Sequence, residues 1–201
     1  PFLMQNDQPP IDIPPACLDA IAPDAAILVL GKRRTGKTTR AQSLCPHLNT
    51  PRYCVFTGSK ETRRQWGQTV GEPFVFGKEG IASTLDEIVC YQNSKSVTKP
   101  NGDVEFPPAY KLTLILDDCG ADKRIMRLPI LADIFANGRH YGITIVICCQ
   151  QLKQLSAPNR NQLDYVCILH TPNGEDLKKI HNEVGHGTSI HTFTDIVNAC
   201  T

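Results

Sequence analysis

The segment Ala26-Ile-Leu-Val-Leu30-Gly31-Lys-Arg-Arg-Thr-Gly36-Lys37-Thr38 carries the strongest structural signal of the chain. Its first five residues form a continuous apolar run, which is typical of a strand buried on both faces of a parallel sheet. The eight residues from Gly31 to Thr38 fit G-x-x-x-x-G-K-[ST] at every fixed position, and a helix pattern runs from Lys37 to about Leu48. Strand, glycine-rich loop and helix in this order predict a phosphate-binding loop in an α/β fold.

The residue types of this loop each have a chemical reason. Two glycines let the backbone curl so that successive N–H groups point at one phosphate. Lys37 offers a positive charge to the β- and γ-phosphates, and Thr38 offers a hydroxyl to Mg²⁺. The sequence therefore predicts ATP and Mg²⁺ as cofactors, with nucleotide contacts from Gly31, Lys32, Arg33, Arg34, Thr35, Gly36, Lys37, Thr38 and Thr39.

Apolar runs and helix patterns alternate along the rest of the chain. Strand-like runs are predicted at 53–56, 74–76, 112–116, 143–148 and 165–170, and helices at 84–92, 130–137, 151–155, 176–184 and 192–199. This alternation predicts an α/β protein with a mostly parallel central sheet flanked by helices.

Two segments fall outside the alternation. Residues 1–23 contain six prolines and are predicted to form an extended arm, because proline suits neither helix interiors nor inner strands. Residues 93–108 are polar and rich in turn formers, which predicts a surface insertion of the hairpin type. The catalytic domain is expected to cover residues 24–201.

Composition narrows the class of protein. The 201 residues suit one domain, and 21 basic against 20 acidic residues exclude a polybasic tail protein or a highly charged disordered chain. No apolar run approaches the roughly 18 residues of a membrane-spanning helix. The nine cysteines form no CxxC pair, so they are predicted to be reduced thiols packed in an intracellular protein, with a zinc site as the alternative.

Two carboxylates end the predicted strand at 112–116. Ligands bind outside the carboxyl ends of parallel strands, so Asp117 is placed to hold Mg²⁺ and Asp118 to orient or deprotonate an attacking water. The second acid indicates hydrolysis of ATP. Residues 117–120 also fit D-x-x-G of GTPases, but no N/T-K-x-D motif follows, which excludes a GTPase.

Two further features have more than one interpretation from the residues alone. Gln150 or Gln151, after the strand at 143–148, could donate to a phosphate and accept from water, or could simply start a helix. Lys60, Arg63 and Arg64 with Trp66 could contact DNA, or could form a solvated helix face with one buried tryptophan.

Several segments in fixed order resemble a known family. They are Ile115-Leu-Asp-Asp-Cys119, Ala136-Asn-Gly-Arg-His-Tyr141, residues 143–150, Pro158-x-Arg160 and Leu163-Asp-Tyr-Val166, together with the basic loop at 31–38. This arrangement is similar to the poxvirus A32-type genome-packaging ATPases of large DNA viruses and virophages, in the FtsK/HerA superfamily of P-loop NTPases. The likeness covers roughly residues 25–170. The family usually continues into a further strand after the last helix, whereas this sequence ends at Thr201, so we expect a short or truncated form.

The resemblance implies a RecA-like fold with the glutamine strand between the loop strand and the acid strand, which favours Gln150 as the γ-phosphate sensor. It implies a homo-oligomeric ring, pentameric or hexameric, in which a neighbour's arginine completes each site: Arg139 first, Arg160 second, with a salt-bridged surface arginine as the alternative for each. It also implies transport of double-stranded DNA into a capsid, a capsid or portal-vertex partner, and a location in the host cytoplasm, at virus factories, and in the virion.

Two other functions stay open. A P-loop kinase would transfer phosphate to a small acceptor, but such kinases carry an arginine-rich lid and residues 93–108 contain no arginine. A non-catalytic nucleotide-binding assembly factor is the other alternative, against which the set of Lys37, Thr38, Asp117, Asp118 and Gln150 argues.

Overall fold

A computed structural model describes residues 21–102, 104–169, 174–185 and 187–200 of the chain. Most of the predicted proline-rich arm, residues 1–20, lies outside the described residues. Ile21, at the end of that arm, packs against the hydrophobic core.

Six parallel strands form the central sheet in the order β3-β2-β6-β7-β1-β8. The strands are β1 (Ala26–Leu30), β2 (Arg52–Thr57), β3 (Val75–Phe76), β6 (Leu112–Asp117), β7 (Ile143–Cys149) and β8 (Tyr165–Ile168). The predicted parallel sheet is therefore confirmed. The prediction that the glutamine strand lies between the loop strand and the acid strand is confirmed as well, because β7 pairs with β6 on one side and β1 on the other.

Helices alternate with the strands as predicted, but some of them differ in length from the prediction. They are α1 (Lys37–Leu44), α2 (Lys60–Val70), α3 (Ile81–Asn93), α4 (Pro129–Asn137), α5 (Ala157–Arg160), α6 (Gly174–Val184) and α7 (Ile190–Cys200). The prediction that α1 continues to Leu48 is wrong: Cys45–His47 forms a 3₁₀ turn containing Pro46, which has no N–H for the helical ladder. The helix predicted at 151–155 is only a 3₁₀ turn at Leu152–Gln154.

Side chains of alternate residues along the strands enter two separate cores. On one face, Leu28, Leu114 and Ile145 pack with residues of α3 and α4. On the other face, Val29, Ile115 and Val146 pack with Ala41 of α1 and Trp66 of α2. Strands covered on both faces explain the continuous apolar runs in the sequence.

A small hairpin interrupts the connection from α3 to β6. It pairs β4 (Val97–Thr98) with β5 (Val104–Glu105) in antiparallel fashion, within the segment predicted as an insertion. The helices that the structure describes are all too short or too polar to cross a lipid bilayer.

A buried amide fastens α3 to the sheet at the amino-terminal ends of the strands. Gln92 is 1% exposed, and its Nε2 donates to the carbonyl oxygens of Tyr110 at 3.0 Å and Tyr141 at 2.9 Å. These two tyrosines precede β6 and β7, so one side chain joins the starts of both central strands to the last turn of α3.

We expect Gln92→Ala to lower the free energy of unfolding by about 1–3 kcal/mol, because two carbonyls lose their partner where water reaches poorly. Urea denaturation measures the change. The control is Gln68→Ala on the exposed side of α2, which should stay within about 0.5 kcal/mol of the parent. Equal midpoints for the two variants would contradict this role of Gln92.

Candidate active site

The carboxyl ends of three neighbouring strands bring the predicted site together. Gly31 follows β1, Asp117 ends β6 and Gln150 follows β7, which lies between them. The N–H of Gly31 donates to the carbonyl of Cys149 at 3.1 Å, so the start of the loop is fixed to the end of β7.

The loop from Gly31 to Thr38 curls around one of its own carbonyls. The Lys32 oxygen accepts hydrogen bonds from Lys37 Nζ at 2.7 Å and Thr35 Oγ1 at 2.8 Å. Arg34 and Gly36 both have left-handed backbones, with φ of 65° and 86°, which turns successive N–H groups in the manner of an anion-binding nest. Helix α1 begins at Lys37, so its amino-terminal dipole also faces the loop, and Thr39 is exposed on its first turn.

Glycine at position 31 has a steric reason. A Cβ there would lie 2.5 Å from Thr35 Oγ1 and 2.9 Å from Leu169 Cβ. Glycine therefore allows the start of the loop to pass close to Leu169, the residue that follows β8.

The Asp117 carboxylate lies beneath the loop and is 2% exposed. Its Oδ2 accepts hydrogen bonds from Thr38 Oγ1 at 2.7 Å and from Trp66 Nε1 at 2.9 Å. Since the Thr38 hydroxyl donates its hydrogen bond to Asp117, the lone pairs of Oγ1 stay available to a metal ion. A hydroxyl and a carboxylate are hard oxygen donors, the set that suits Mg²⁺ together with phosphate and water.

Asp118 differs from Asp117 in exposure and in backbone. Its side chain is exposed, and its φ of 54° is left-handed, an unusual conformation for a non-glycine residue that recurs at functional sites. A solvent-facing carboxylate one residue beyond Asp117 can accept a proton from water or orient it.

A cleft of about 540 Å³ opens beside the first half of the loop. Gln150 and Gln151 form one wall of it, together with Gly31, Lys32 and Arg33, and α6 forms the other wall through Asp176, Lys179, Ile180 and Glu183. Lys32 pairs with Asp176 across the cleft at 3.3 Å. The backbone N–H of Gln150 donates to Gln154 Oε1 at 2.7 Å, which fixes where this residue leaves the strand.

The two arginines proposed to act between subunits lie elsewhere. Arg139 is exposed in the turn before β7, at the opposite end of a seven-residue strand, about 23 Å from the loop edge. Arg160 has a side chain 19% exposed, which pairs with Glu183 and donates to the Leu155 carbonyl at 2.8 Å. Both assignments remain predictions, and Arg160 adopts the ion-paired alternative within the chain.

Two residues near Asp117 were not assigned to the site from the sequence. Trp66 is 0% exposed, so stacking on a nucleic-acid base is excluded and the buried alternative is correct. Thr57 ends β2 in register with Asp117, and its buried Oγ1 has no hydrogen-bond partner among the described residues. The only sequence signal for Thr57 is a hydroxyl closing an apolar strand.

Buried thiols surround the floor of the site. Burial raises the pKa of Cys119 and Cys149 to about 12, and burial together with the Asp117 charge raises that of Cys148 well above its usual value. Within the described ranges no group of three or more His, Cys, Asp or Glu side chains could hold a metal ion.

Comparison with known proteins gives a family and a fold. The profile of the family described as "Poxvirus A32 protein" matches residues 84–199, more than half of the chain. Uncharacterized protein 075L of Invertebrate iridescent virus 6 is 26% identical over 157 residues, covering 77% of this chain and 58% of that protein. Uncharacterized protein L437 of Acanthamoeba polyphaga mimivirus is 23% identical, covering 92% of this chain and 66% of its own length. The chain thus spans less than two thirds of both relatives.

Solved structures share the fold at low identity. B204, the DNA-packaging ATPase from Sulfolobus turreted icosahedral virus, superposes with a TM-score of 0.59 at 13% identity, covering 88% of each chain. ATPases 2 and 3 of EssC from Geobacillus thermodenitrificans give a TM-score of 0.62 at 15% identity, covering 83% of this chain and 35% of that one. The predicted P-loop NTPase fold is therefore confirmed.

We expect Lys37→Ala to weaken ATP binding by roughly 10- to 100-fold, because a charge-assisted contact to phosphate is lost. Isothermal titration calorimetry with ATP and Mg²⁺ measures it. Lys99→Ala, which removes a lysine of the β4–β5 hairpin paired with Glu105, is the matched control and should bind as the parent does. Equal affinities for the two variants would contradict the loop assignment.

Proposed function

Since the chain belongs to the poxvirus A32 protein family, we propose that it is an ATP-hydrolysing motor that moves double-stranded viral DNA into a capsid. The observation that carries the proposal is the convergence of Thr38, Asp117, Asp118 and Gln150 at one edge of the sheet. B204 of Sulfolobus turreted icosahedral virus, of similar fold, is a DNA-packaging ATPase, and B204 of Sulfolobus turreted icosahedral virus 2 has been solved in complex with AMPPCP.

Each residue has one task in this proposal. The backbone of Gly31–Gly36 and the ammonium of Lys37 bind the phosphates of ATP. Thr38 and Asp117 would hold Mg²⁺, which would neutralise phosphate charge. Asp118 orients the attacking water and accepts its proton, and Gln150 bonds the γ-phosphate and that water.

The site is completed by a second copy of the chain. Arg139 lies at the far edge of the sheet, so it can reach a nucleotide only when a neighbouring subunit presents its amino-terminal edge to this loop. Such head-to-tail contacts close into rings, here of five or six subunits. Arg160 is the second candidate for this role.

A role in genome packaging also implies the partners and the location of the motor. The motor would act on duplex DNA and dock on a capsid or portal-vertex protein. It would work in the cytoplasm of the host cell, at the virus factory, and stay with some virions.

The proposal is tested by the ATP hydrolysis rate per subunit, measured against protein concentration with and without duplex DNA. We expect the rate to climb with concentration, because sites form between subunits, and to rise further with DNA. A flat rate indifferent to DNA would refute the ring motor and favour a P-loop kinase, and binding without hydrolysis would favour the assembly factor.

We expect Arg139→Ala to retain ATP binding but lose about 10³- to 10⁵-fold in hydrolysis, the range measured for such arginines. Mixing this variant with Lys37→Ala should restore part of the activity. In a random ring about a quarter of the interfaces combine the intact Lys37 of one variant with the intact Arg139 of the other. Recovery with Arg160→Ala plus Lys37→Ala, but not with Arg139→Ala, would transfer the role to Arg160. Normal hydrolysis by Arg139→Ala alone would exclude it.

A further inference from the structure

We propose that Trp66 is a positioning residue for the metal-binding carboxylate of Asp117, an inference that rests on the proposed nucleotide site. The indole N–H donates to Asp117 Oδ2 at 2.9 Å, and the same oxygen accepts from Thr38 at 2.7 Å. One carboxylate oxygen is thus held by two donors from two different helices.

The chemistry of tryptophan explains why this residue type stands here. Its nitrogen can only donate, so toward a carboxylate it makes one kind of contact whatever the pH. The ring, 0% exposed, fills the core between α1, α2 and the sheet, so its position is set by packing rather than by the bond it makes. Phenylalanine would fill most of that space but would leave the buried charge with one donor fewer.

The helix that carries Trp66 is fixed relative to the phosphate loop. Helix α2 begins directly after β2, with Ser59 Oγ accepting from the Thr62 N–H at 3.0 Å as an N-cap. Gln42 of α1 donates to Thr69 at 2.9 Å and accepts from Gln65 at 2.9 Å, which clasps α1 to α2. The two donors to Asp117 therefore sit on two joined helices, and the carboxylate cannot rotate without breaking both bonds.

The first test compares Trp66→Phe with Tyr53→Phe. The control removes one partly buried side-chain donor, the Tyr53 hydroxyl that bonds the Cys45 carbonyl at 2.8 Å, on a strand that packs in the same core. ATPγS binding is measured by calorimetry in EDTA and over a range of Mg²⁺ concentrations. For Trp66→Phe we expect affinity in EDTA within about twofold of the parent, and a half-saturating Mg²⁺ concentration raised about tenfold, the size of effect of a hydrogen bond to a charged group.

For Tyr53→Phe we expect no change in the Mg²⁺ requirement, even if its melting temperature falls as much as that of Trp66→Phe. A merely structural tryptophan would lower the melting temperature and leave the Mg²⁺ requirement unchanged. That result would overturn the proposal.

The second test needs no variant at position 66, so it can still overturn the proposal if Trp66→Phe does not fold. Trp66 is the one tryptophan of the sequence, so all tryptophan emission comes from the side chain that contacts Asp117. Adding Mg²⁺ to the parent chain with ATPγS should change the emission, with the same half-saturation as nucleotide binding. Asp117→Asn should abolish that change, and emission indifferent to Mg²⁺ in the parent would overturn the proposal. Neither test requires hydrolysis or DNA, so their outcome is separate from that of the motor assays.

Discussion

The buried carboxylate of Asp117, with the two hydrogen bonds that converge on it, is the constraint on which the arrangement of this domain depends. A charge taken out of water is tolerated only where donors replace the lost hydration. Here the donors come from Thr38 and Trp66, which lie 79 and 51 residues away along the chain. To satisfy one anion, α1 and α2 must both lie on the same face of β6, and this places the phosphate loop above the acid.

The parallel sheet places the candidate site at one edge and the structural contacts of Gln92 at the opposite edge. All six strands run the same way, so the loops at their carboxyl ends share one edge and carry the exposed acid, the glutamines and the phosphate loop. At the other edge Gln92 joins the starts of β6 and β7 to α3. The β4–β5 hairpin is inserted at this same edge, one strand length from the phosphate loop. The insertion therefore lies at the edge of the sheet opposite to Asp117.

The sequence was informative where one residue pattern has one physical solution. The apolar runs predicted β1, β6 and β7 because strands covered on both faces cannot alternate, and Gly31–Thr38 predicted the loop because its glycines are needed for close approach and positive φ. Helix α2 was only one of two interpretations of residues 60–66, and its bounds were not predicted, because apart from Trp66 and Val70 it lacks apolar residues and no periodicity marks it. The hydrogen bond from Trp66 to Asp117 joins segments 51 residues apart, so no local residue pattern predicts it. Pairing across the chain, as for Thr57, emerges only when the strand order is known.

The buried thiols make the chain more sensitive to oxidation before it folds than afterwards. Cys54, Cys119 and Cys149 have pKa values raised to about 12 and lie out of reach of solvent, so they are protonated and unreactive once the sheet is closed. Before folding, the same side chains are exposed on a new polypeptide with ordinary thiol reactivity. A sulfinate or a mixed disulfide acquired then could not be packed between β2, β6 and β7. Oxidation at these three cysteines therefore threatens newly made chains, whereas folding protects the same positions afterwards.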